Sequence, residues 1–586
     1  MENDITYVGK VIRVDSNSVE VEIDECIPSG SPIISGKVYK IGQIGTFIKI
    51  VSGSITTYGL VESVSNTSSK TDLNTSITCG SRYLTVNLVG EKIGSHPFEK
   101  GIGLYPTVND EVHIVTESDL ENLYGAADIT QFPIGKHASS DNLDVFVDVH
   151  KLVLRHTAIL GSTGSGKSNT TVAVLKQIIG GYSNSRIVLI DPHGEYSSAF
   201  PSAKVFRIGD SQNPLYIPFW LMNFDELAYF LVGAKSNEDN TPAYRQLREM
   251  ITNFKKQKYN LLDDTIDENL ITADSPIPFS AHQVWHTMNW LLNATFSSSK
   301  KDEQTAETAM ETDPGDPETL KPATFEPYAM GNKPPFKSAS QEYYGYEKKL
   351  LSRLKDSRYD FMFSPGEYGG KNPSKDLYGL LQDWIGSPER LTILDLSNVP
   401  FEVLDIAVGL ITRFIYDSMF WGRYEPYTGK NRPLFLVYEE AHTYLDKGEH
   451  TKYAKSAVEK IFKEGRKFGL GAMVISQRPS EISETILAQI GTFIALRLTN
   501  STDQSIVKSL APDNMNSLMS LLPSLRIGEA VVVGEAIKIP SRIRIKPQSP
   551  RPDSADPRLV EAWSRQFEAA KAYYKPVVHK LRQQKM

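Results

Sequence analysis

Two cysteines in 586 residues, Cys26 and Cys79, are too few for a disulfide framework. No C-x-x-C or Cys/His spacing marks a structural zinc site, and both thiols read as incidental residues of a reducing compartment. No run approaches the roughly 18 to 20 consecutive apolar residues that cross a bilayer, which excludes a helical membrane-spanning reading. The opening Met1-Glu-Asn-Asp4 is acidic and leads straight into an alternating apolar pattern, so no signal peptide is expected and the cytoplasm is the expected location. An excess of positive charge is also missing. The 63 Lys and Arg stand against 70 Asp and Glu, a net −7, so no overall basic footprint announces nucleic acid. That balance still leaves room for a ring whose basic residues are confined to its channel. With 40% hydrophobic and 23% charged residues, the composition is that of a globular chain.

Residues 1–125 alternate apolar and polar in short runs separated by Gly, Ser and Asn. Tyr7–Ile12, Val19–Ile23, Gly45–Ile50, Gly59–Val64, Tyr83–Leu88 and Glu111–Val115 are expected strands, and so many in this length predict a small β-barrel for docking or oligomerisation. From about residue 145 the period changes to alternating strands and helices, the signature of a mostly parallel α/β sheet. Leu152–Leu160 is an expected strand, Lys167–Ile179 a helix and Arg186–Asp191 the next strand. The alternation breaks at residues 215–390, a mainly helical insertion whose acidic, Pro-rich stretch 300–337 reads as a flexible loop. It resumes at Leu391–Leu396 and continues through Phe401–Phe420, Leu434–Tyr438, Tyr453–Lys467, Ala472–Ser476, Ile482–Ile490 and Thr492–Leu498. A hairpin over Glu529–Val533 and Ile537–Ile545 closes the core, which thus comprises residues 145–214 and 391–545. Residues 546–586 hold a helix at about Asp556–Tyr574 and a basic tail.

Between the first strand and helix of the core stands Gly161-Ser-Thr-Gly164-Ser-Gly166-Lys167-Ser168. It fits the phosphate-binding pattern G-x-x-x-x-G-K-[ST] at every position and sits in the strand–loop–helix context that pattern requires. Glycines let the backbone curl so that N–H groups point at phosphate oxygens, and the helix N-terminus adds partial positive charge. Gly161, Thr163, Gly164, Ser165, Gly166, Lys167, Ser168 and Asn169 are the expected nucleotide-binding residues, with Lys167 reaching the β- and γ-phosphates and Ser168 ligating Mg²⁺. Such a loop calls for acidic groups at the end of another buried strand. Leu434–Tyr438 followed by Glu439-Glu440 supplies them: Glu439 to hold the metal through a water, Glu440 to polarise the attacking water. Gln477, at the end of the next strand, is the sensor candidate. Asp191-Pro-His-Gly-Glu195 closes a further strand, as a turn or as part of the water and metal network. An arginine against the γ-phosphate commonly comes from a neighbouring subunit on this scaffold. Arg466, where a helix ends, and Arg155, ahead of the phosphate loop, are the two candidates.

Together, Arg155–Ser168, Asp191–Glu195, Tyr438-Glu-Glu-Ala-His442 and Ser476-Gln-Arg-Pro479 resemble the HerA family of hexameric DNA translocases and helicases, which are related to the FtsK pump ATPases. The resemblance covers nearly the whole chain. It implies a RecA-like P-loop ATPase core behind an N-terminal barrel, with ATP and Mg²⁺ as cofactors. It also implies a homohexameric ring around double-stranded DNA and a partner on the barrel, either a NurA-like nuclease or a sirtuin-like NADase of anti-phage defence. Stretch 300–337 departs from that pattern. Lys447, Lys452 and Lys455 are the candidate pore residues, with a solvated helix face as the competing reading. An ATP-binding scaffold that organises an effector with little translocation is the alternative function, and DNA-stimulated turnover separates the two.

Overall fold

Alternation of buried and exposed side chains closes the N-terminal strands into a barrel. The computed structural model describes the chain except residues 1–4, 25–26, 28–31, 35–36, 67–80, 125–127, 139, 141, 235–240, 260–266, 332, 340–341, 370–372, 449–451, 512–515, 555–557, 566–570 and 584–586. Cys26 and Cys79 lie outside the described residues. Around the barrel the strands run Ser18–Ile23, Tyr7–Val14, Glu111–Ile114, Phe47–Ser52, Ile55–Asn66 and Arg82–Ile93, and the last pairs back onto the first. Val8, Val11, Val21, Ile50, Val61, Leu84 and Val86 fill its interior. Every neighbour in this order is antiparallel, so closure leaves no edge between them.

The chain forms two compact units. The first comprises Met1–Lys204, Glu389–Ile393 and Tyr416–Ser554, and therefore holds the barrel and the α/β core together. The helix Glu117–Tyr124 joins them: the Tyr124 hydroxyl bonds Ser541 Oγ, and Lys538 Nζ donates to the Tyr124 carbonyl at 2.7 Å. The core sheet runs Asp144–Asp148, Gln131–His137, Ser541–Arg544, Glu529–Gly534, Thr492–Leu496, Thr157–Leu160, Leu470–Ser476, Leu434–Tyr438, Ile187–Asp191 and then residues 391–393. The central four pairings are parallel and their strands fully buried, while the hairpin end is antiparallel. This is the expected α/β P-loop ATPase core, with the strand that feeds the phosphate loop in the middle.

Some elements differ from expectation. Leu152–Leu154 is not strand but the end of a helix, Val149–Leu154, because Asp148 accepts the Lys151 N–H at 2.9 Å as an N-cap; the strand begins only at Thr157. His156 makes the break, in the left-handed region at φ 58°. The strands Gln131–His137 and Asp144–Asp148 lie where no element was expected. The expected helix 482–490 shrinks to Glu484–Leu487, and Ser501–Leu510 forms an additional helix. At the C-terminus, the single helix expected over Asp556–Tyr574 is two, Leu559–Trp563 and Lys571–Gln583, so the basic tail is helical as far as Gln583. Among the described residues no helix is long and apolar enough to cross a membrane.

The second unit comprises Val205–Pro388, Leu394–Ile415 and Ala555–Met586. Its helices Phe224–Val232, Pro242–Lys258, Ala281–Asn293 and Tyr344–Leu354 gather around aromatic side chains; Phe230 stacks on Phe363 at 5.3 Å between ring centres, and buried Trp220 donates to the Tyr368 carbonyl. Stretch 300–337, read as a flexible loop, is instead folded back by short pairings of Glu311–Asp313 with Thr324–Phe325 and of Thr295–Phe296 with Phe336–Lys337. Its acidic residues build turns: Asp313 accepts the Gly315 N–H, and Asp316 the Thr319 hydroxyl. Asp and Pro lower hydrophobicity, which mimics disorder, yet they are also the residues that close turns.

Candidate functional site

The phosphate loop leaves the buried strand Thr157–Leu160 between two parallel neighbours and is pinned to both. Gly161 N–H donates to the Ser476 carbonyl at 3.2 Å, and Ser162 N–H to the Arg497 carbonyl at 2.8 Å. Gly528 N–H closes the far side on the Ser165 carbonyl at 3.0 Å. Gly164 and Gly166 take φ of 71° and 108°, a conformation that a side chain disfavours, and this curls the loop toward a phosphate. Lys167 and Ser168 then open the helix Lys167–Gly181. Asn169, expected to bind nucleotide, is engaged elsewhere: its Oδ1 accepts the Gln548 N–H and its Nδ2 donates to the Lys546 carbonyl. Those contacts begin a strap that the sequence did not reveal. Lys176 Nζ donates to the Ser549 carbonyl, Ser198 Oγ to the Arg551 carbonyl, and Asp553 N–H to the Glu195 carbonyl, so residues 546–553 cross the flank of the phosphate-loop helix.

Three parallel strand ends bring the remaining groups to the same carboxyl edge. Gln477 follows Leu470–Ser476, and its Oε1 accepts from Thr163 Oγ1 of the phosphate loop at 2.5 Å. Glu439 and Glu440 follow Leu434–Tyr438 and point apart, because Glu440 turns the chain at φ 45° and ψ 47°. The turn is held by Thr443, whose N–H and hydroxyl both donate to the Glu440 carbonyl, and by Tyr444, whose hydroxyl donates to the Glu439 carbonyl. Glu439 is buried and accepts the Tyr196 hydroxyl at 2.6 Å. After Ile187–Asp191 the roles divide. Asp191 is a turn builder that accepts N–H groups of His193, Gly194 and Tyr196, whereas Glu195 accepts the Ser168 hydroxyl at 3.0 Å. Glu195 thus stands closer to the expected metal position than its uncertain reading in the sequence suggested.

Electrostatics separate the paired glutamates. Burial, followed by the charges of Glu440, Asp191 and Glu195, pushes the Glu439 carboxyl well above its ordinary range despite the Tyr196 hydrogen bond. For Glu440, burial also pulls upward, but His442, Lys167 and His193 outweigh it and hold the carboxyl below the usual value. The surroundings of Glu439 thus favour its protonated form unless a cation lies beside it, and those of Glu440 favour its ionised form. Glu440 Oε2 has no aligned hydrogen-bond donor. The Ser168 hydroxyl and the carboxylates around it are hard oxygen donors that suit Mg²⁺. Among the described residues no three His, Cys, Asp or Glu side chains form a cage for a metal ion.

The two arginine candidates are not at this edge. Arg155 precedes Thr157–Leu160, and Arg466 lies in the turn Gly465–Phe468 ahead of Leu470–Ser476, so both occupy the amino edge of adjacent parallel strands. At about 3.3 Å per residue, a strand of this kind puts roughly 15 to 20 Å between either arginine and the phosphate loop of its own chain. Arg155 is half exposed, with Nε 3.6 Å from Glu535, and Arg466 is exposed. Of the expected pore lysines, Lys447 pairs with Glu484 at 2.9 Å and Lys455 donates to the Gly448 carbonyl, while Lys452 is exposed at the start of its helix.

Comparison with known proteins places these features in context. The family model of the helicase HerA central domain matches residues 132–415, and that of the helicase HerA-like C-terminal region matches residues 426–549. The DNA double-strand break repair helicase HerA of Sulfolobus acidocaldarius is 28% identical over 463 residues, 79% of this chain and 78% of that protein. The protein of the same name from Pyrococcus furiosus is 26% identical over 489 residues, 79% of this chain and 77% of its own. Among solved structures, VirB4 of Thermoanaerobacter pseudethanolicus superposes with a TM-score of 0.44 at 18% identity, covering 72% of this chain and 98% of that one.

Proposed function

The chain belongs to the HerA helicase family and is an ATP-hydrolysing helicase or translocase acting on DNA; from that premise we propose that it works as a homohexameric ring whose ATP sites are completed across subunit interfaces. The observation that carries this reading is the split of the machinery between two edges of one sheet. Phosphate loop, Glu440 and Gln477 share the carboxyl edge, whereas Arg155 and Arg466 lie on the other, too far to serve their own nucleotide. That placement supports a role for either arginine against a phosphate bound by the next copy, as a finger supplied in trans.

In each site the phosphate-loop N–H groups and Lys167 hold the β- and γ-phosphates. Ser168, with Glu439 and Glu195 acting through water, would hold Mg²⁺, which when bound would supply positive charge against the phosphates. Glu440 takes the proton of the attacking water, Gln477 senses the γ-phosphate, and the neighbour's arginine stabilises the charge that develops as the bond breaks. Asn169 contributes by anchoring the strap over the helix flank. Double-stranded DNA runs through the ring and is gripped by its phosphates, with no base-edge readout. The barrel, tied to the core at Tyr124 and Lys538, is the dock for an effector, a nuclease or a NAD-consuming enzyme, in DNA end processing or anti-phage defence.

Mixing two inactive variants tests the composite site. Lys167→Ala and Arg466→Ala (or Arg155→Ala) are each expected to be inactive alone. Mixed rings contain interfaces with an intact loop from one copy and an intact finger from the next, so partial recovery of ATP turnover is expected. Absence of recovery for both arginines, with mixed hexamers confirmed by native mass measurement, overturns the trans assignment.

A further inference from the structure

Glu440 is not alone in its pocket. Its Oε2 lies 3.2 Å from Nδ1 of His442, and both side chains are largely withdrawn from water. The approach is close but lacks hydrogen-bond alignment, so the oxygen keeps a lone pair for a water proton. The same Nδ1 is 3.3 Å from Oγ of Ser476, the last residue of the neighbouring strand. Ser476 is fully buried, and its Oγ accepts the Arg478 N–H at 3.0 Å. Between those two residues is Gln477, which holds Thr163 of the phosphate loop. One imidazole therefore stands between the carboxylate that activates water and the strand end that reads the γ-phosphate.

The backbone leaves little else to aim that carboxylate. A non-glycine residue in the left-handed region persists only where its surroundings over-determine it, and the Thr443 and Tyr444 contacts do so here. Only the side-chain torsions of Glu440 remain free. With its proton on Nδ1 the ring donates to Ser476 Oγ and turns the positive side of the same N–H dipole toward the Glu440 carboxylate oxygen 3.2 Å away, whereas a bare lone pair there would repel that oxygen. The ring is thus a short electrostatic tether whose Nδ1 edge meets both the base and the sensor strand.

We propose that His442 is a positioning residue: it holds the Glu440 carboxylate in its working rotamer and ties that rotamer to the Ser476–Gln477 strand end, so that water activation answers to γ-phosphate contact. The proposal rests on Glu440 being the base. The test uses the full chain and measures three quantities for each variant: ATP turnover, affinity for a fluorescent ATP analogue, and thermal midpoint. His442→Ala is expected to lower kcat by about 10- to 100-fold, the range for losing a group that orients a reacting ligand, with affinity and midpoint held. His442→Asn, which restores an N–H near Nδ1, recovers most of the loss, and Ser476→Ala produces a smaller fall in kcat. His442→Leu, of similar bulk and without a donor, takes the place of the alanine variant if that one does not fold. Wild-type kcat in either donor-less variant, or an Asn variant as slow as they are, overturns the proposal. Glu440→Gln is measured alongside: wild-type turnover there removes the base itself, whereas a slow Glu440→Gln beside normal His442 variants removes only the tether.

Discussion

The two edges of the core sheet carry opposite kinds of surface. At the carboxyl edge the functional groups constrain one another: buried Glu439 against Tyr196, and the partly buried Glu440 beside His442, Glu195 on Ser168 and Gln477 on Thr163. At the amino edge Arg466 projects into solvent, and the segment ahead of strand Leu434–Tyr438 exposes Trp421, Tyr424 and Tyr427 at 81%, 73% and 79%. Large exposed aromatics and unburied arginines are what interfaces use as anchors. One sheet thus gathers phosphate loop and acidic groups on one side and, on the other, exposed arginines and aromatics held by few contacts of their own chain, such as Arg155 to Glu535 and Trp421 to Phe420. Parallel strands produce this division, because every loop leaving a strand end faces one way and every loop entering faces the other.

The comparison is broken most severely by removing the outward arginine. A trans finger is worth about 10³ to 10⁵ in turnover on related scaffolds, acting on transition-state charge, so Arg466→Ala or Arg155→Ala is expected to abolish hydrolysis while nucleotide affinity survives. Steady-state turnover measured with nucleotide binding checks this, and equal loss of both would place the arginine in ground-state binding instead. Glu440→Gln strikes the other edge. General-base loss predicts a fall of about 10² to 10⁴ in kcat with ATP binding intact.

A smaller effect, on stability, sharpens the comparison at the amino edge. His156 is 4% exposed, accepts the Ala472 N–H at Nδ1, and is pushed by burial down to about 4, despite backbone contacts to Phe462 and Ala472 that pull it up. The folded value lies below the unfolded 6.5, so the unfolded state binds the proton first as pH falls. Stability from this residue is complete above pH 6.5 and declines between 6.5 and 4, by up to about 3 kcal/mol at 1.36 kcal/mol per unit. Buried His137, also near 4, titrates in the same window, so the difference between wild type and His156→Asn isolates the effect. Asn tolerates the left-handed backbone, and its denaturant midpoint should depend less on pH. The smallest effect belongs to Glu535→Gln. Its ion pair with half-exposed Arg155 is worth less than about 1 kcal/mol, so the thermal midpoint should hold, with ATP turnover unchanged or raised as the arginine is released.

Much of this architecture is legible in the residues, for identifiable reasons. The phosphate loop is written in glycines at fixed spacing, and the catalytic strand in an apolar run ending in two carboxylates. Local signals misled where an adjacent residue overrode them: Leu152–Leu154 looks like strand until Asp148 caps a helix, and 300–337 looks disordered until its Asp residues close turns. The strap at 546–553 has no motif, because it is held chiefly by backbone carbonyls and N–H groups, which every sequence possesses.

Amino-acid order alone determined the chemistry available: a loop that binds phosphate, an acidic pair, a polar sensor and two candidate arginines. Tertiary structure decided which of them meet. Glu439 and Glu440 are neighbours in the chain, yet the left-handed turn sends one beneath Tyr196 and the other toward His442 and Lys167. Arg155 precedes the loop closely in sequence but is held from it by the length of a strand, whereas Glu195, 27 positions after Ser168, lands on it. Spacing along a chain fixes distance only within one helix or strand; across strands, distance is set by pairing and direction, which arise when the whole sheet packs.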